Sequence, residues 1–394
     1  MYRISTMNKI ASEGLDLFSR DLYEVASEIS NPDAILLRSQ KINDMEVPKS
    51  LKAIARAGAG VNNINVEACS EAGVIVFNTP GANANSVKEL TIAGLLLCAR
   101  KIYEGIAWAN SIKDQGDEVP KLIEKNKSMF AGREIAGKTI GVIGLGAIGV
   151  MVANDAVSLG MKVNGFDPFI SVDAAWGLSR DVQKASSLDS LISTSDYITI
   201  HVPLTDRTKG LLNKEKIDLM KKGVNILNFS RNGLINNNDL IEALKEGKVA
   251  KYITDFPDEQ LLNTENIICI PHLGASSEEA EINCAMMAAK QLKDFLEYGN
   301  IKNSVNFPEC VMEMTGNSRI IIANKNIPNM VGQITAVLAE EKINISDMLN
   351  RHQDVYAYNI IDINSNISDS AITKIKQING VLMVRVIDNK GQSR

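Results

Sequence analysis

The chain has 394 residues, a length that accommodates two or three domains, each with its own hydrophobic core. Hydrophobic residues make up 45% of the chain and charged residues 23%, and the net charge is -5 at pH 7. This balance excludes a bulk attraction to nucleic acid or to an anionic membrane. The five cysteines form no Cys-x-x-Cys pair and the N-terminus lacks a signal-peptide pattern, which together predict reduced thiols and a cytoplasmic protein.

The N-terminal part of the chain alternates short apolar runs with amphipathic ones. The pattern predicts a helix at residues 66–72 and strands at residues 34–37, 51–55 and 74–77. This alternation is typical of an α/β unit. Two long helices are expected at residues 86–110 and 277–298, and a chain that crosses between domains along each of them would make the first domain discontinuous. We therefore expect a flavodoxin-like substrate-binding domain that comprises residues 1–93 and 285–311.

From Lys138 the alternation restarts with a longer period. A helix is predicted at residues 237–246, among other helical segments, and strands at residues 139–143, 161–166, 197–202, 224–228, 252–254 and 267–270. This order is typical of a doubly wound parallel sheet. Residues 94–284 are expected to form a Rossmann domain.

A polar stretch at residues 308–318 precedes a C-terminal segment of a different pattern. Strands are predicted at residues 320–323, near 345, 356–363 and 381–386, with helices at 328–341 and 369–377. The resulting order is βαββαβ, a small α+β arrangement. Residues 318–394 carry one histidine, His352, and no metal, nucleophile or phosphate motif, so we expect them to have a regulatory role.

The run Gly144-Leu145-Gly146-Ala147-Ile148-Gly149 lies between a predicted strand and an apolar helical segment. In a dinucleotide-binding turn the first glycine permits the tight turn, the second lets the backbone approach a pyrophosphate, and the third allows the helix to pack on the strand. The backbone amides of Ala147 and Ile148, at the start of the helix, are expected to face the phosphates. This motif, in this context, predicts dinucleotide binding.

Asp167 ends the next predicted strand. It follows the glycine run at close to the spacing of about 20 residues that is expected for a carboxylate that bonds the ribose hydroxyls. No arginine or lysine occurs in Pro168-Phe169-Ile170, and a carboxylate repels a 2′-phosphate, so the sequence favours NAD over NADP.

Charged residues follow late strands of the expected Rossmann domain, at the edge where open α/β sheets bind ligands. Arg231 can hold a substrate carboxylate by paired hydrogen bonds, and His272 can exchange a hydroxyl proton near neutral pH. A carboxylate on the other imidazole nitrogen would fix its tautomer; Glu259 is assigned this role and Asp258 is the alternative. His201 also ends a strand and is expected to line the cofactor pocket, with a purely structural role as the alternative. Together these residues predict hydride transfer to or from a 2-oxo or 2-hydroxy acid.

Several motifs, spread over roughly residues 30 to 300, resemble the D-isomer-specific 2-hydroxyacid dehydrogenase family. Besides the glycine run they are Arg56-Ala57-Gly58-Ala59-Gly60-Val61-Asn62-Asn63-Ile64, Asn78-Thr79-Pro80-Gly81-Ala82-Asn83, Val202-Pro203-Leu204-Thr205, Asn228-Phe229-Ser230-Arg231 and Pro271-His272-Leu273-Gly274. The resemblance implies an NAD-dependent enzyme whose catalytic set is Arg231, a carboxylate and His272, with Asp255 near the nicotinamide. Further cofactor contacts are expected from Pro203, Thr208 and Gly274.

Two departures from the family pattern affect these assignments. Asn232 stands where a glycine usually follows the catalytic arginine. The segment after Asp255 is one residue shorter than the common pattern, which leaves the choice between Glu259 and Asp258 open.

The first domain is expected to determine the substrate. Arg38 and Arg56 follow strands and can converge on a phosphate, although either could be an ordinary surface charge. The resemblance implies that the backbone N–H groups of Gly58 and Ala59 hold the substrate carboxylate, and Asn83 is expected among the other substrate contacts. We expect oxidation of 3-phosphoglycerate to 3-phosphohydroxypyruvate, at the start of serine synthesis. The alternatives are a dehydrogenase for another D-2-hydroxy acid, such as glycerate, glyoxylate or lactate, and an NAD-sensing co-repressor without chemistry.

The C-terminal segment resembles the small regulatory ACT domain. Asn326 and Asn344 match positions that hold an amino acid in such domains, which implies L-serine as an effector; Asn324 and Asn329 depart from the pattern. An oligomerisation module without a ligand is the alternative. A homodimer or homotetramer is expected from the family, and no metal, nucleic-acid or membrane partner is expected.

Overall fold

The computed structural model describes residues 1–388 and 392–393. The chain divides into two compact units, one made of Met1–Asn83 with Glu278–Arg394 and the other of Ala84–Ser277. Among the described residues, no helix combines the length and the apolar character that are needed to cross a bilayer.

The first unit begins with a parallel sheet of five strands. These are β1 (Tyr2–Met7), β2 (Tyr23–Ala26), β3 (Ala34–Leu37), β4 (Ala53–Arg56) and β5 (Ile75–Phe77), and the helices between them are α1 (Ser12–Leu15) and α2 (Val66–Glu71). The strand order β2-β1-β3-β4-β5 is that of a flavodoxin-like sheet. The strand predicted at residues 34–37 is confirmed with the same bounds, whereas β1 and β2 were not predicted.

The second unit holds a parallel sheet of seven strands. Its helices are α3 (Ala84–Ala99), α4 (Ile102–Ser111), α5 (Val119–Asn126), α6 (Ala147–Ser158), α7 (Val172–Gly177), α8 (Leu188–Thr194), α9 (Lys214–Leu219), α10 (Asn237–Lys245) and α11 (Glu259–Leu262). The strands are β6 (Thr139–Ile143), β7 (Lys162–Phe166), β8 (Val182–Lys184), β9 (Tyr197–Ile200), β10 (Val224–Asn228), β11 (Val249–Thr254) and β12 (Ile267–Cys269). In the order β12-β11-β10-β9-β6-β7-β8, the chain adds strands toward one edge of the sheet from β6 to β8. It then returns to the other side of β6 and adds strands toward the opposite edge from β9 to β12, as in a Rossmann fold.

The prediction of a single helix at residues 86–110 is wrong, because the structure forms two helices there, α3 and α4. The carbonyl of Ala99 accepts a hydrogen bond from the amide of Arg133 at 2.9 Å instead of continuing α3. A Cβ atom at Gly132 would lie 2.6 Å from the same oxygen, so the contact needs a glycine there. A segment distant in sequence therefore ends this helix, which local periodicity cannot reveal.

The first unit is completed by α12 (Glu278–Tyr298) and by a separate antiparallel sheet. The sheet contains β13 (Ser318–Lys325), β14 (Ile345–Gln353), β15 (Tyr356–Ile363), β16 (Val381–Asp388) and β17 (Gln392–Ser393), with helices α13 (Met330–Glu340) and α14 (Asp369–Gln377). The strand order is β14-β15-β13-β16-β17. The domain boundaries expected after residues 93 and 284 fall inside α3 and α12, and each of these helices lies wholly within one unit.

Both faces of β13, a central strand of the antiparallel sheet, are buried. On β13, Ile320 and Ile322 pack in a core with α13 and α14, whereas Ile321 and Ala323 belong to the core that includes α12. Because side chains alternate across a strand, burial of both faces explains why this strand is an uninterrupted apolar run.

Two buried arginines of this sheet bind the last carbonyl groups of α12. Arg385 donates to the carbonyl of Leu296 at 2.7 Å, and Arg319 donates to that of Tyr298 at 2.9 Å. Arg319 also forms a bidentate ion pair with Asp362, at 2.6 and 2.9 Å, and neither side chain is exposed. Cations at these positions complement the negative end of the helix dipole.

Candidate active site

The glycine run forms the turn between β6 and α6. Gly144 has a φ of 90°, and a Cβ atom on it would lie 2.7 Å from the carbonyl oxygen of His201. A Cβ on Gly149 would lie 1.9 Å from the oxygen of Gly144, so neither position tolerates a side chain. Beside Gly146 there is open space, which allows a ligand to approach the backbone at that point.

The turn presents the N-terminus of α6 at the carboxyl end of the sheet. Gly146 is the N-cap residue, and the first hydrogen bond within the helix is donated by Val150. The amides of Ala147 and Ile148 therefore have no partner within the helix. Such a terminus favours phosphate groups.

Asp167 follows β7 directly and is held by the backbone. Its carboxylate accepts hydrogen bonds from the amides of Leu145 and Phe169, each at 2.8 Å. It borders a cavity of about 480 Å³ whose other walls include Ile170 and Leu178. A carboxylate beside an apolar cavity suits the ribose and the base of an adenosine, so these residues fit a bound dinucleotide.

His201 follows β9 and is neutral at ordinary pH. Its Nε2 lies 2.9 Å from the hydroxyl oxygen of Thr199, and its Nδ1 is buried without a partner among the described residues. Burial lowers the pKa of His201 to about 4. Two further residues expected at the cofactor, Pro203 and Thr208, are joined by a 2.6 Å hydrogen bond from the Thr208 hydroxyl to the Pro203 carbonyl.

Arg231, Asp255 and His272 meet at the carboxyl ends of β10, β11 and β12. Asp255 is 1% exposed, accepts a 3.1 Å hydrogen bond from the amide of Gly274, and leaves its Oδ1 without a partner among the described residues. Burial raises the pKa of Asp255, and the Gly274 amide and the nearby His272 and Arg231 partly oppose this rise. The side chains of Arg231 and His272 are exposed, and the imidazole packs against the ring of Phe256 with 4.9 Å between centroids.

The two carboxylates considered as partners of His272 lie in different environments. Asp258 is the N-cap of α11: it accepts from the amide of Leu261 at 2.8 Å and from the side-chain amide of Asn237 at 2.8 Å. Glu259 is exposed in the first turn of α11. No hydrogen bond joins His272 to either carboxylate among the described contacts, and the carboxylate beside it is Asp255.

The arginines predicted to bind phosphate lie side by side in the first unit. Arg56 donates through Nε to the carbonyl of Arg38 at 3.0 Å and through Nη1 to the carbonyl of Gly60. Arg38 forms a 2.7 Å ion pair with Glu281 of α12. Glu281 was not found from the sequence, because only the tertiary fold brings it to Arg38.

The other residues expected at the substrate lie in loops of the same unit. The amide of Gly58 donates to the carbonyl of Arg56 at 2.9 Å, and the carbonyl of Ala59 accepts from the side chain of Asn78 at 2.6 Å. Asn83 is half-buried directly before α3.

The two asparagines predicted to bind an effector are not brought together within this chain. Asn326 lines a cavity of about 170 Å³ at the start of α13, and its side chain donates to the carbonyl of Asp354 at 3.2 Å. Asn344 is exposed and is not among the residues that line this cavity. Asn329 lines the same cavity and has a φ of 65°, a left-handed conformation that glycine adopts most readily.

Residues 92–274 match the family described as D-isomer specific 2-hydroxyacid dehydrogenase, NAD binding domain. The glycine turn, Asp167 and the cluster around Asp255 all lie within these residues. The second unit is therefore similar to the NAD-binding domain of D-isomer-specific 2-hydroxyacid dehydrogenases, and the predicted cofactor, NAD, is confirmed.

Similar proteins narrow the comparison further. The chain is 37% identical to the D-3-phosphoglycerate dehydrogenase of Methanocaldococcus jannaschii over 83% of this chain and 61% of that protein. It is 34% identical to the Bacillus subtilis enzyme of the same name, over 78% and 59%. The NAD+-bound 3-phosphoglycerate dehydrogenase of Entamoeba histolytica superimposes with a TM-score of 0.61 and 28% identity, over 77% of this chain and 98% of that one. The chain spans about three-fifths of the length of the two curated relatives.

Proposed function

We propose that this protein oxidises 3-phospho-D-glycerate to 3-phosphohydroxypyruvate with NAD, the first step of L-serine synthesis. The observation that carries the proposal is the meeting of Arg231 and His272 around buried Asp255, at the carboxyl edge of the NAD-binding sheet. The similarity to the D-3-phosphoglycerate dehydrogenases of M. jannaschii and B. subtilis supports this choice of substrate. NAD supplies the hydride acceptor when it is bound.

The side chains of the cluster divide the remaining work. Arg231 binds the substrate carboxylate through paired N–H donors. His272 takes the proton of the C2 hydroxyl during oxidation and returns it during reduction. Since the pKa of His201 is lowered to about 4, His201 is a poor base and contributes as an uncharged wall of the cofactor site.

Of the two carboxylates first considered for His272, we propose Glu259. Both oxygens of Asp258 already accept hydrogen bonds, whereas Glu259 is exposed and able to change its rotamer. Asp255, which is buried, lies within electrostatic reach of the imidazole, although burial raises the pKa of its carboxyl group.

A turnover assay with NADH tests the proposed reaction. Phosphohydroxypyruvate should be reduced far more efficiently than hydroxypyruvate, glyoxylate or pyruvate. Faster reduction of an unphosphorylated acid would assign the protein to another substrate of the family. NADH binding without turnover of any of the four would favour a binding protein.

Asp167→Asn is expected to narrow the preference for NAD over NADP. The asparagine oxygen can still accept from one of the two amides, Leu145 or Phe169, while the charge that repels a 2′-phosphate is lost. The ratio of the two dissociation constants measures the effect. Asp173→Asn, an exposed carboxylate in α7, is the matched control, and an unchanged ratio in Asp167→Asn would remove Asp167 from cofactor selection.

We also propose that Arg38 and Arg56 hold the substrate phosphate. Their adjacency through the Arg38 carbonyl supports this, and a phosphate would replace Glu281 as the partner of the half-exposed Arg38 guanidinium. Two arginines satisfy a dianion better than one.

Arg38→Ala should cost about 2 kcal/mol in apparent affinity for phosphohydroxypyruvate and little for hydroxypyruvate, because it removes a charged hydrogen bond only the phosphate makes. Steady-state kinetics with both substrates measure the difference, and the exposed Arg20→Ala serves as the control. An equal loss on both substrates would mean that Arg38 holds the fold or the carboxylate. The effect of Arg56→Ala would be harder to interpret, because Arg56 also stabilises the loop that ends at Gly60 by a hydrogen bond.

We further propose that residues 318–394 form an ACT-like domain that binds L-serine. The βαββαβ order and the polar cavity beside Asn326 support this. A side-chain amide can bind both the ammonium and the carboxylate of a zwitterion. An assembly element without a ligand remains the alternative.

Millimolar serine should raise the thermal midpoint of the full chain and lower its turnover, since a ligand that prefers the folded, less active state does both. Both effects should vanish in Asn344→Ala and in Asn326→Ala, and persist in Asn366→Ala, an exposed asparagine before α14. Calorimetry without serine binding and with unchanged turnover would leave an assembly role only.

We propose that this protein forms a homodimer or a homotetramer and that it is located in the cytoplasm. Ile102, Tyr103 and Ile106 of α4 are 42%, 59% and 58% exposed, and α4 has no buried residue. Exposed apolar side chains on one helix are typical of a surface that pairs with another subunit. Light scattering on the full chain measures the assembly.

The five cysteines are all free thiols, which supports the proposed location in a reducing compartment, the cytoplasm.

A further inference from the structure

The first unit contains a cavity of about 560 Å³ that belongs to none of the sites described above. It lies between α12, the loop at Gly81 and Ala82, and residues 300–303. Its volume falls in the range of small-molecule sites. The loop at Gly81 and Ala82 also carries Asn83, so a ligand here would contact a segment that is expected to serve the substrate.

Gln291 is the most buried residue of the lining. It is 8% exposed, and neither its amide nitrogen nor its amide oxygen has a hydrogen-bond partner among the described residues. A buried amide without partners is unfavourable, because it has lost its hydrogen bonds to water, and native proteins rarely leave one in this state. Both amide atoms are covered by their neighbours, and a rotation of the side chain toward the cavity would let a ligand supply the missing partners.

One wall of the cavity is held rigid by hydrogen bonds. The side chain of Asn300 donates to Asp294 at 3.1 Å and accepts from the amide of Met312 at 3.1 Å. Because Asp294 belongs to α12, these bonds fix Asn300 relative to the helix, so the shape of the cavity is defined before a ligand binds. A preformed site reduces the entropy cost of binding.

The charges and the apolar groups of the lining indicate the ligand. Lys290 and Lys302 outnumber the single carboxylate of Asp294, so an anionic group is favoured. Met286 and Met287 are half-buried on the same helix and offer adaptable apolar contacts.

We propose that this cavity binds a small carboxylic acid with an apolar body, of the size of an amino acid. The carboxylate accepts from the Gln291 amide and is attracted by the two lysines. The apolar body contacts the methionines.

Calorimetry on the full chain with three matched probes tests the proposal: L-leucine, 4-methylpentanoate, which lacks the ammonium group, and isoamylamine, which lacks the carboxylate. Both carboxylates should bind with dissociation constants of about 1 mM or below, and isoamylamine should not bind. Absence of heat from both carboxylates at about ten times that concentration, or equal binding of isoamylamine, would overturn the proposal.

Gln291→Met and Lys302→Met locate the binding. Each should raise the dissociation constant for 4-methylpentanoate at least tenfold, whereas the exposed Gln377→Met should not change it. Lys302 is exposed, so its variant tests the site even if Gln291→Met were to fold poorly. Unchanged affinity in Lys302→Met and in folded Gln291→Met would overturn the proposal, and unchanged binding in Asn344→Ala distinguishes this site from the serine site.

Discussion

Replacing His272 by asparagine is expected to lower kcat by roughly 10²- to 10⁴-fold while the Kd for NAD stays nearly the same. Asparagine retains a polar side chain but cannot take up and release the hydroxyl proton. The imidazole is exposed and packs against the ring of Phe256, so the fold should not change. His201 cannot take over the role, because burial lowers its pKa to about 4.

The matched control is His352→Asn, an exposed histidine in β14, which should retain normal turnover. Initial rates with phosphohydroxypyruvate measure kcat, and NADH binding followed by fluorescence measures the affinity for the cofactor. Near-normal turnover in His272→Asn would exclude the histidine as the proton carrier. A loss of NADH affinity alone would instead make it a cofactor contact.

The largest stability effect is expected for Arg319→Met, at about 3–5 kcal/mol of unfolding free energy. The substitution leaves the carboxylate of Asp362 buried without its bidentate partner. It also removes the donor to the carbonyl groups of Tyr298 and Met312. Urea unfolding at pH 7 measures the change.

An exposed ion pair of the same unit provides the comparison. Arg3 pairs with Glu24 at 3.3 Å, with 40% and 51% of the side chains exposed, so Arg3→Met should cost about 1 kcal/mol or less. The double variant Arg319→Met with Asp362→Leu should recover much of the loss, because no buried charge is left unpaired. If Arg319→Met costs no more than Arg3→Met, the buried pair does not stabilise the unit.

The central strands could be predicted from the sequence because their burial is complete. All four residues of β3 and of β9 are buried, and such strands read as nearly continuous apolar runs. β1 was missed, since Arg3, Ser5 and Thr6 interrupt its pattern and only its parallel pairing with β2 and β3 makes it a strand.

The sequence could predict which residues of the candidate site follow the ends of strands, but it could not predict which side chains they contact. Asp258 stands three residues before Leu261, a spacing typical of a helix cap, and this signal was available in the sequence. The ion pair between Arg38 and Glu281 joins distant segments, so no local pattern reveals it. Nor does any local pattern reveal that the side-chain amide of Gln291 lacks a hydrogen-bond partner among the described residues.

The shared core around α12 limits how this chain can be divided. Phe295 and Leu296 pack in one cluster with Ile321, Tyr358 and Ile387 of the antiparallel sheet. A chain shortened to end at residue 311 would expose this apolar surface to water and leave the last carbonyl groups of the helix without their arginine donors. The C-terminal sheet is thus part of the scaffold of the first unit and not a detachable accessory. A protease that removed it would release an aggregation-prone remnant instead of a simplified enzyme.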